Sequence, residues 1–144
     1  MQDRFKFRCF NKFENKMFDV RSMSYINGIV KRIEVQGEES LLIFDEWEKN
    51  IDNTILMQCT GLKDKNGKLI YEGDIVRYAE YEIEEIEPEW EYTEIVWGGK
   101  YDYPAFDLKK HNFDSNGLSE IIACGWTIEV MGNIYENKDL INDN

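Results

Sequence analysis

Turn-forming glycines cut this chain into pieces of strand length. Asn27-Gly28, Asn66-Gly67 and Gly98-Gly99 are turn dipeptides, and Gly61, Gly67 and Gly73 follow one another at six-residue spacing, as in a meander. Between the turns the apolar residues repeat with period two or form short runs. Phe5, Phe7 and Cys9 alternate with Arg4, Lys6 and Arg8, the pattern of a half-buried strand. Further strands are predicted over residues 25–35 (broken by Asn27-Gly28), 41–44, 55–59, 69–71, 75–81, 93–97, 105–108 and 121–130. Asn66-Gly67 suits a type I′ turn, and Glu72-Gly73-Asp74 marks a second turn just after it. Residues 45–50 fit a single helical turn carrying Trp47, and residues 136–141 a terminal turn with Asn137 as N-cap. Many short strands at near-regular spacing point to a small β-barrel or sandwich.

At 144 residues the chain fits one domain or two small lobes. Its 42% hydrophobic and 14% aromatic content excludes a disordered acidic tail, although the net charge is −12. No apolar run reaches the roughly 18–20 residues that span a bilayer. The first ten residues lack the apolar centre of a signal peptide, so secretion by that route is not expected. Charge is segregated along the chain. Residues 1–37 carry eight bases (Arg4, Lys6, Arg8, Lys12, Lys16, Arg21, Lys31, Arg32) against four acids, whereas residues 61–144 carry eight against nineteen.

Motifs for catalysis are weak. Cys9, Cys59 and Cys124 are scattered with no C-x-x-C pair, which reads as reduced, core-filling thiols. The single histidine, His111, would have to serve any Cys–His dyad, and a zinc site could be Cys₃His at best. Asp64, Asn66 and Asp74 could offer oxygen ligands to Ca²⁺ or Mg²⁺, but without an EF-hand register. With 29 acidic residues, carboxylate pairs at hydrolase spacing arise by chance. Phosphate-binding glycine loops and a nucleophile elbow are absent. We therefore expect no enzyme activity, cofactor or metal.

The one conspicuous feature is the run of eight glutamates in residues 80–94, without a base among them. Its phase shifts after Glu85, which signals a turn or bulge near residues 84–88. Glu82, Glu84, Glu85, Glu87 and Trp90 form the candidate interaction surface. Such a strip either contacts a basic partner or is a solvated hairpin whose charges deter aggregation. In contrast, the alternation from Arg4 to Arg8 could pair phosphate contacts with base stacking, so nucleic-acid binding through this basic edge is the alternative. The net negative charge opposes that alternative at long range.

Three segments resemble the YopX family of bacteriophage and prophage proteins. These are Arg4-Phe5-Lys6-Phe7-Arg8-Cys9-Phe10 through Asn15-Lys16-Met17, the central Leu56-Met57-Gln58-Cys59-Thr60-Gly61-Leu62-Lys63-Asp64-Lys65-Asn66-Gly67-Lys68-Leu69-Ile70-Tyr71-Glu72-Gly73-Asp74-Ile75-Val76, and Glu129-Val130-Met131-Gly132-Asn133-Ile134-Tyr135-Glu136-Asn137. The departures are Cys59, Met131 and Lys138. The resemblance implies a mostly β fold, with a small SH3-like β-barrel in the C-terminal half and an N-terminal β-meander that serves assembly. It also implies phage or prophage origin and a bacterial cytoplasm, but no reaction. The expected division is residues 1–55 and 56–144, with an acidic hairpin inserted at 80–94. The expected function is a non-enzymatic protein-interaction module, homo-oligomeric through its N-terminal segment, with a protein partner of basic character and no membrane association.

Overall fold

A computed structural model describes residues 2–47, 51–80 and 83–141. Ten strands form two antiparallel sheets. The first contains β1 (Phe7–Asn11), β2 (Lys16–Ile26), β3 (Ile29–Gln36), β4 (Leu41–Asp45), β5 (Thr54–Lys63) and β6 (Leu69–Tyr71), in the order β4-β3-β2-β1-β5-β6. The second contains β7 (Asp74–Ala79), β8 (Glu91–Trp97), β9 (Phe106–Leu108) and β10 (Thr127–Asn133), in the order β10-β7-β8-β9. One helix, α1 (Gly117–Ala123), packs beside β9. Among the described residues no helix is long and apolar enough to cross a membrane.

Each sheet has its own core. Cys9, Phe18, Ile33, Val35 and Phe44 fill the first. Ile70, Val76, Tyr78, Ile95, Leu108, Leu118, Ile121 and Ile128 fill the second. The expected division after residue 55 falls inside β5, whose near end pairs with β1 and whose far end carries β6 toward the second core. Bonds that stitch the sheets together include three between backbone groups, Lys65 N–H to Ile128 O (2.9 Å), Gly73 N–H to Ile95 O (2.9 Å) and Ile134 N–H to Gly73 O (3.0 Å), and two from backbone N–H groups to carboxylates, Val130 to Asp64 (2.9 Å) and Tyr71 to Asp74 (2.7 Å).

The turn at Asn27-Gly28 has both residues at positive φ (51° and 78°), as a type I′ turn requires. Several other expectations are corrected. At Asn66-Gly67 only Gly67 is left-handed (φ 78°). Asp64 Oδ1 accepts the N–H groups of Asn66 and Lys68, both at 2.9 Å, and this local bonding shapes the turn in place of a type I′ pair. The period-two reading of residues 4–9 also fails. Phe5 ends a 3₁₀ turn (Gln2–Phe5) and is exposed, while Arg8 is buried.

The predicted strand over residues 121–130 begins in the last turn of α1, which ends at Ala123, and becomes strand only from Thr127. Asn116 caps α1 by accepting Ser119 N–H at 2.8 Å, Leu118, Ile121 and Ile122 recur at helical spacing, and Gly125 (φ 71°) follows its end. Cys124 is consequently the C-cap of α1, and it is exposed. Asn137 precedes the 3₁₀ turn Lys138–Leu140 but makes no side-chain cap, because its carboxamide oxygen accepts Asn133 N–H at 3.1 Å. The predicted helical turn at 45–50 falls partly on residues 48–50, outside the described residues; Glu46 and Trp47 form a bend.

Candidate functional site

The acidic run connects β7 to β8. Glu82 lies outside the described residues. From Ile83 to Ile86 the chain makes a tight turn closed by Ile86 N–H to Ile83 O at 2.9 Å, with Glu84 and Glu85 exposed at its corner. The phase shift in the sequence is this turn. Residues 87–90 of the expected hairpin are irregular, and β8 begins only at Glu91. Ile83 and Ile86 are 48% and 60% exposed, a display that a solvated loop does not need.

Trp90 anchors the loop to the sheet. Its indole N–H donates to Glu87 Oε1 at 3.2 Å, and its ring receives the Arg77 guanidinium 4.1 Å from the centroid. Arg77 is held from behind by Glu129 Oε2 at 2.7 Å, and Lys65 also approaches the Trp90 ring, at 5.6 Å. At the loop's exit the Tyr78 hydroxyl donates to Glu91 Oε2 at 2.8 Å; burial, aided by that carboxylate, pushes the phenol well above its ordinary range. An open groove of about 750 Å³ results, lined by Arg77, Ile83, Ile86, Pro88, Trp90 and the intervening glutamates. Among the described residues no base forms an ion pair with Glu84, Glu85, Glu87 or Glu89. The structure therefore brings Glu84, Glu85, Glu87 and Trp90 to one loop, around a shallow and mostly polar depression that also holds Ile83, Ile86 and the Arg77 guanidinium.

The residues singled out for catalysis or metals do other work. Cys9 and Cys59 are buried, and burial pushes the Cys9 thiol up to about 12 and raises that of Cys59. His111 has both ring nitrogens engaged: Nδ1 accepts Phe113 N–H at 3.2 Å, so Nε2 carries the hydrogen toward Asp107 Oδ2, also at 3.2 Å. Asp107 Oδ1 in turn accepts the backbone N–H of Leu108 (2.7 Å) and of Leu118 (3.2 Å) in the first turn of α1. The pair, fully buried, fastens the helix to β9. Asp64 spends its two oxygens on three backbone N–H groups, and Asp74 pairs with Arg8, so both carboxylates are engaged within the protein.

The basic N-terminal edge is also engaged. Lys6 bridges Asp3, Lys16 Glu38, Lys31 Glu46 and Arg32 Glu34, while Arg21 donates to Gln36. Arg8 leaves the surface altogether. Its Nη1 lies 2.7 Å from Asp74 Oδ1, its Nη2 donates to Glu72 O at 3.1 Å, and its guanidinium sits 4.8 Å over the Tyr71 ring. Arg4 to Arg8 thus do not form the alternating face that base stacking would need.

A family model described as YopX protein matches residues 6–142. The chain belongs to the YopX family. It is also similar to a solved structure, the crystal structure of protein EF1440 from Enterococcus faecalis, at 24% identity and a TM-score of 0.59, covering 94% of this chain and 96% of that one. That likeness shows the fold alone. No curated protein matches.

In structural terms the central YopX segment, residues 56–76, is the hinge of the architecture. It contains most of β5, all of β6, the Asp64 turn, and the Gly73-Asp74 entry into β7. Sequence reasoning reads its glycines correctly as turn residues but misses its principal polar contact, Asp74 with Arg8. The only signal for that contact was a charged residue at each end of the resemblance. The Asp107–His111 pair was likewise missed, and its signal was the acid–histidine spacing of four.

Proposed function

We propose that this YopX-family chain is a non-enzymatic protein-interaction module that works in the cytoplasm of a phage- or prophage-bearing bacterium. The second sheet, completed by the far half of β5 and by β6, reads as an SH3-like barrel that presents the β7–β8 loop. The observation that carries the reading is the pair of exposed isoleucines, Ile83 and Ile86, set beside Trp90 in a rim of unpaired carboxylates. An acidic loop that displays two isoleucines is complementary to an extended protein segment that carries both aliphatic and basic side chains. Assembly through the N-terminal portion belongs to the same reading, supported by the apolar residues exposed on β2 and β3.

Fluorescence polarisation with a labelled peptide alternating isoleucine with lysine and arginine tests this. Binding in the micromolar range at low salt is expected, weakening by roughly tenfold or more at high salt, where charges are screened within a few ångströms. It should be lost when Glu84, Glu85 and Glu87 are all changed to Gln. Binding that is insensitive to salt, or that survives the triple change, rejects the loop as the contact.

A further inference from the structure

Among the described residues, the β7–β8 loop is one of two places where the fold displays isoleucines on a turn. The other is the tip of the β2–β3 hairpin. β1 borders β2 only over Lys16 to Asp19, and β4 borders β3 only from Arg32 onward. The closing pairs Tyr25↔Val30 and Ile26↔Ile29 are flanked by neither strand, so the hairpin ends as a two-stranded arm. Register shifts between Val20 and Ser22 and between Ser24 and Tyr25 add twist to it. Tyr25, Ile26 and Ile29 are 56%, 60% and 60% exposed. A two-stranded ribbon gains little stability on its own in water, and an apolar tip on one is a surface made to be covered.

Charge identifies what covers it. Between Arg21 and Arg32 the arm holds three bases and no acid. Between Ile83 and Glu91 the groove's loop holds five glutamates and no base, and Arg77, the base that lines the groove, is already ion-paired with Glu129. The arm therefore has the composition that the groove calls for: aliphatic and aromatic side chains flanked by Lys31 and Arg32. Those two bases now rest on surface carboxylates, Glu46 and Glu34, in exposed pairs that exchange at little cost. We infer that the arm of one copy seats in the Ile83–Trp90 groove of a second copy, head to tail. Tip against tip would oppose like charges, and groove against groove would do so more strongly. The contact is heterologous, so it propagates around a closed ring or along a filament. It rests on the reading of the β7–β8 loop as a protein-contact surface and names the partner as this chain itself.

Light scattering on the full-length chain at high micromolar concentration decides it. Wild type should show a mass that is a multiple of 17.1 kDa. Ile26→Asp with Ile29→Asp, and separately Glu84→Lys with Glu85→Lys and Glu87→Lys, should each give monomer with unchanged circular dichroism. An equimolar mixture of the two variants retains one good arm and one good groove, and should form a dimer and nothing larger. If the arm variant fails to fold, Lys31→Glu with Arg32→Glu replaces it, and its mixture with the lysine groove variant, in which both contacts are charge-matched, should assemble beyond a dimer while each variant alone stays monomeric. A monomeric wild type, an oligomer indifferent to both sets of changes, or a mixture that stays monomeric overturns the inference. A monomeric wild type that still binds the basic peptide overturns only the choice of partner; loss of peptide binding overturns the loop reading itself.

Discussion

Arg8 and Asp74 set opposite charges 2.7 Å apart where the two sheets meet, with 10% and 1% of their side chains exposed. The bonding is incomplete: neither Arg8 Nε nor Asp74 Oδ1 has an in-line hydrogen-bond partner. Burial holds Asp74 above its ordinary pKa in spite of the cation beside it, so the desolvation of the carboxylate outweighs its pairing. Arg8→Met should cost about 3 kcal/mol at neutral pH because it strands the carboxylate, whereas Arg8→Met with Asp74→Leu should recover most of that. Urea titration measures both. A carboxyl raised on folding contributes stability that is present below its unfolded value, about 3.9, and is lost as pH rises through its folded value. The Arg8→Met defect should therefore be small near that lower limit and full at neutrality. A defect independent of pH would exclude Asp74 as its origin. The thiols make a second residue-scale case. Only Cys124 should react with maleimide in the native chain, with Cys9 and Cys59 labelled after unfolding, as intact mass will show.

Among the elements, turns with the same left-handed glycine differ in what surrounds them. Gly67 (φ 78°) has open space where a Cβ would go, so Gly67→Ala carries only the conformational penalty, about 1–2 kcal/mol. Gly99 (φ 61°) has Asp107 Oδ2 only 2.5 Å from that position, so Gly99→Ala should cost more and also loosen α1. Thermal melts of the two variants check the order, and equal losses would contradict it. Turns were legible in the sequence because glycine and asparagine act locally. Helix α1 was not: Ile121 and Ile122 are β-branched and favour strands in isolation, and what decides for helix is the Asn116 cap together with burial of Leu118 and Ile121 against β9. The acidic loop was legible as a turn from its change of phase, but its function as a groove depends on Arg77 and Glu129, which lie far from it in sequence.

For the molecule as a whole, two cores suggest two units, but β5 and β6 of the first sheet lend Leu62 and Ile70 to the second core. Arg8 burial and the bonds from Lys65, Gly73 and Val130 cross the same boundary. Unfolding should accordingly be a single cooperative transition, with calorimetric and van't Hoff enthalpies equal. Two resolved transitions would show that the sheets are independent. The charge asymmetry of the sequence is real at this scale, but the structure changes its meaning. Four of the eight N-terminal bases, Lys6, Lys16, Lys31 and Arg32, pair with acids within residues 1–46, while among the described residues Glu84, Glu85, Glu87 and Glu89 pair with no base. Pattern-reading registers the number of charges. It does not register which of them find partners, because that depends on the register of distant strands.

The β7–β8 loop leaves and re-enters the sheet at Ala79 and Glu91, between strands whose ladder from Ile75↔Glu94 to Tyr78↔Glu91 is complete without it. On the proposed reading, recognition and architecture are thus carried by separate stretches of chain. A lineage of such proteins can exchange one loop sequence for another and acquire a new binding preference while its foldability stays intact, which makes this loop a natural place for grafting foreign peptides.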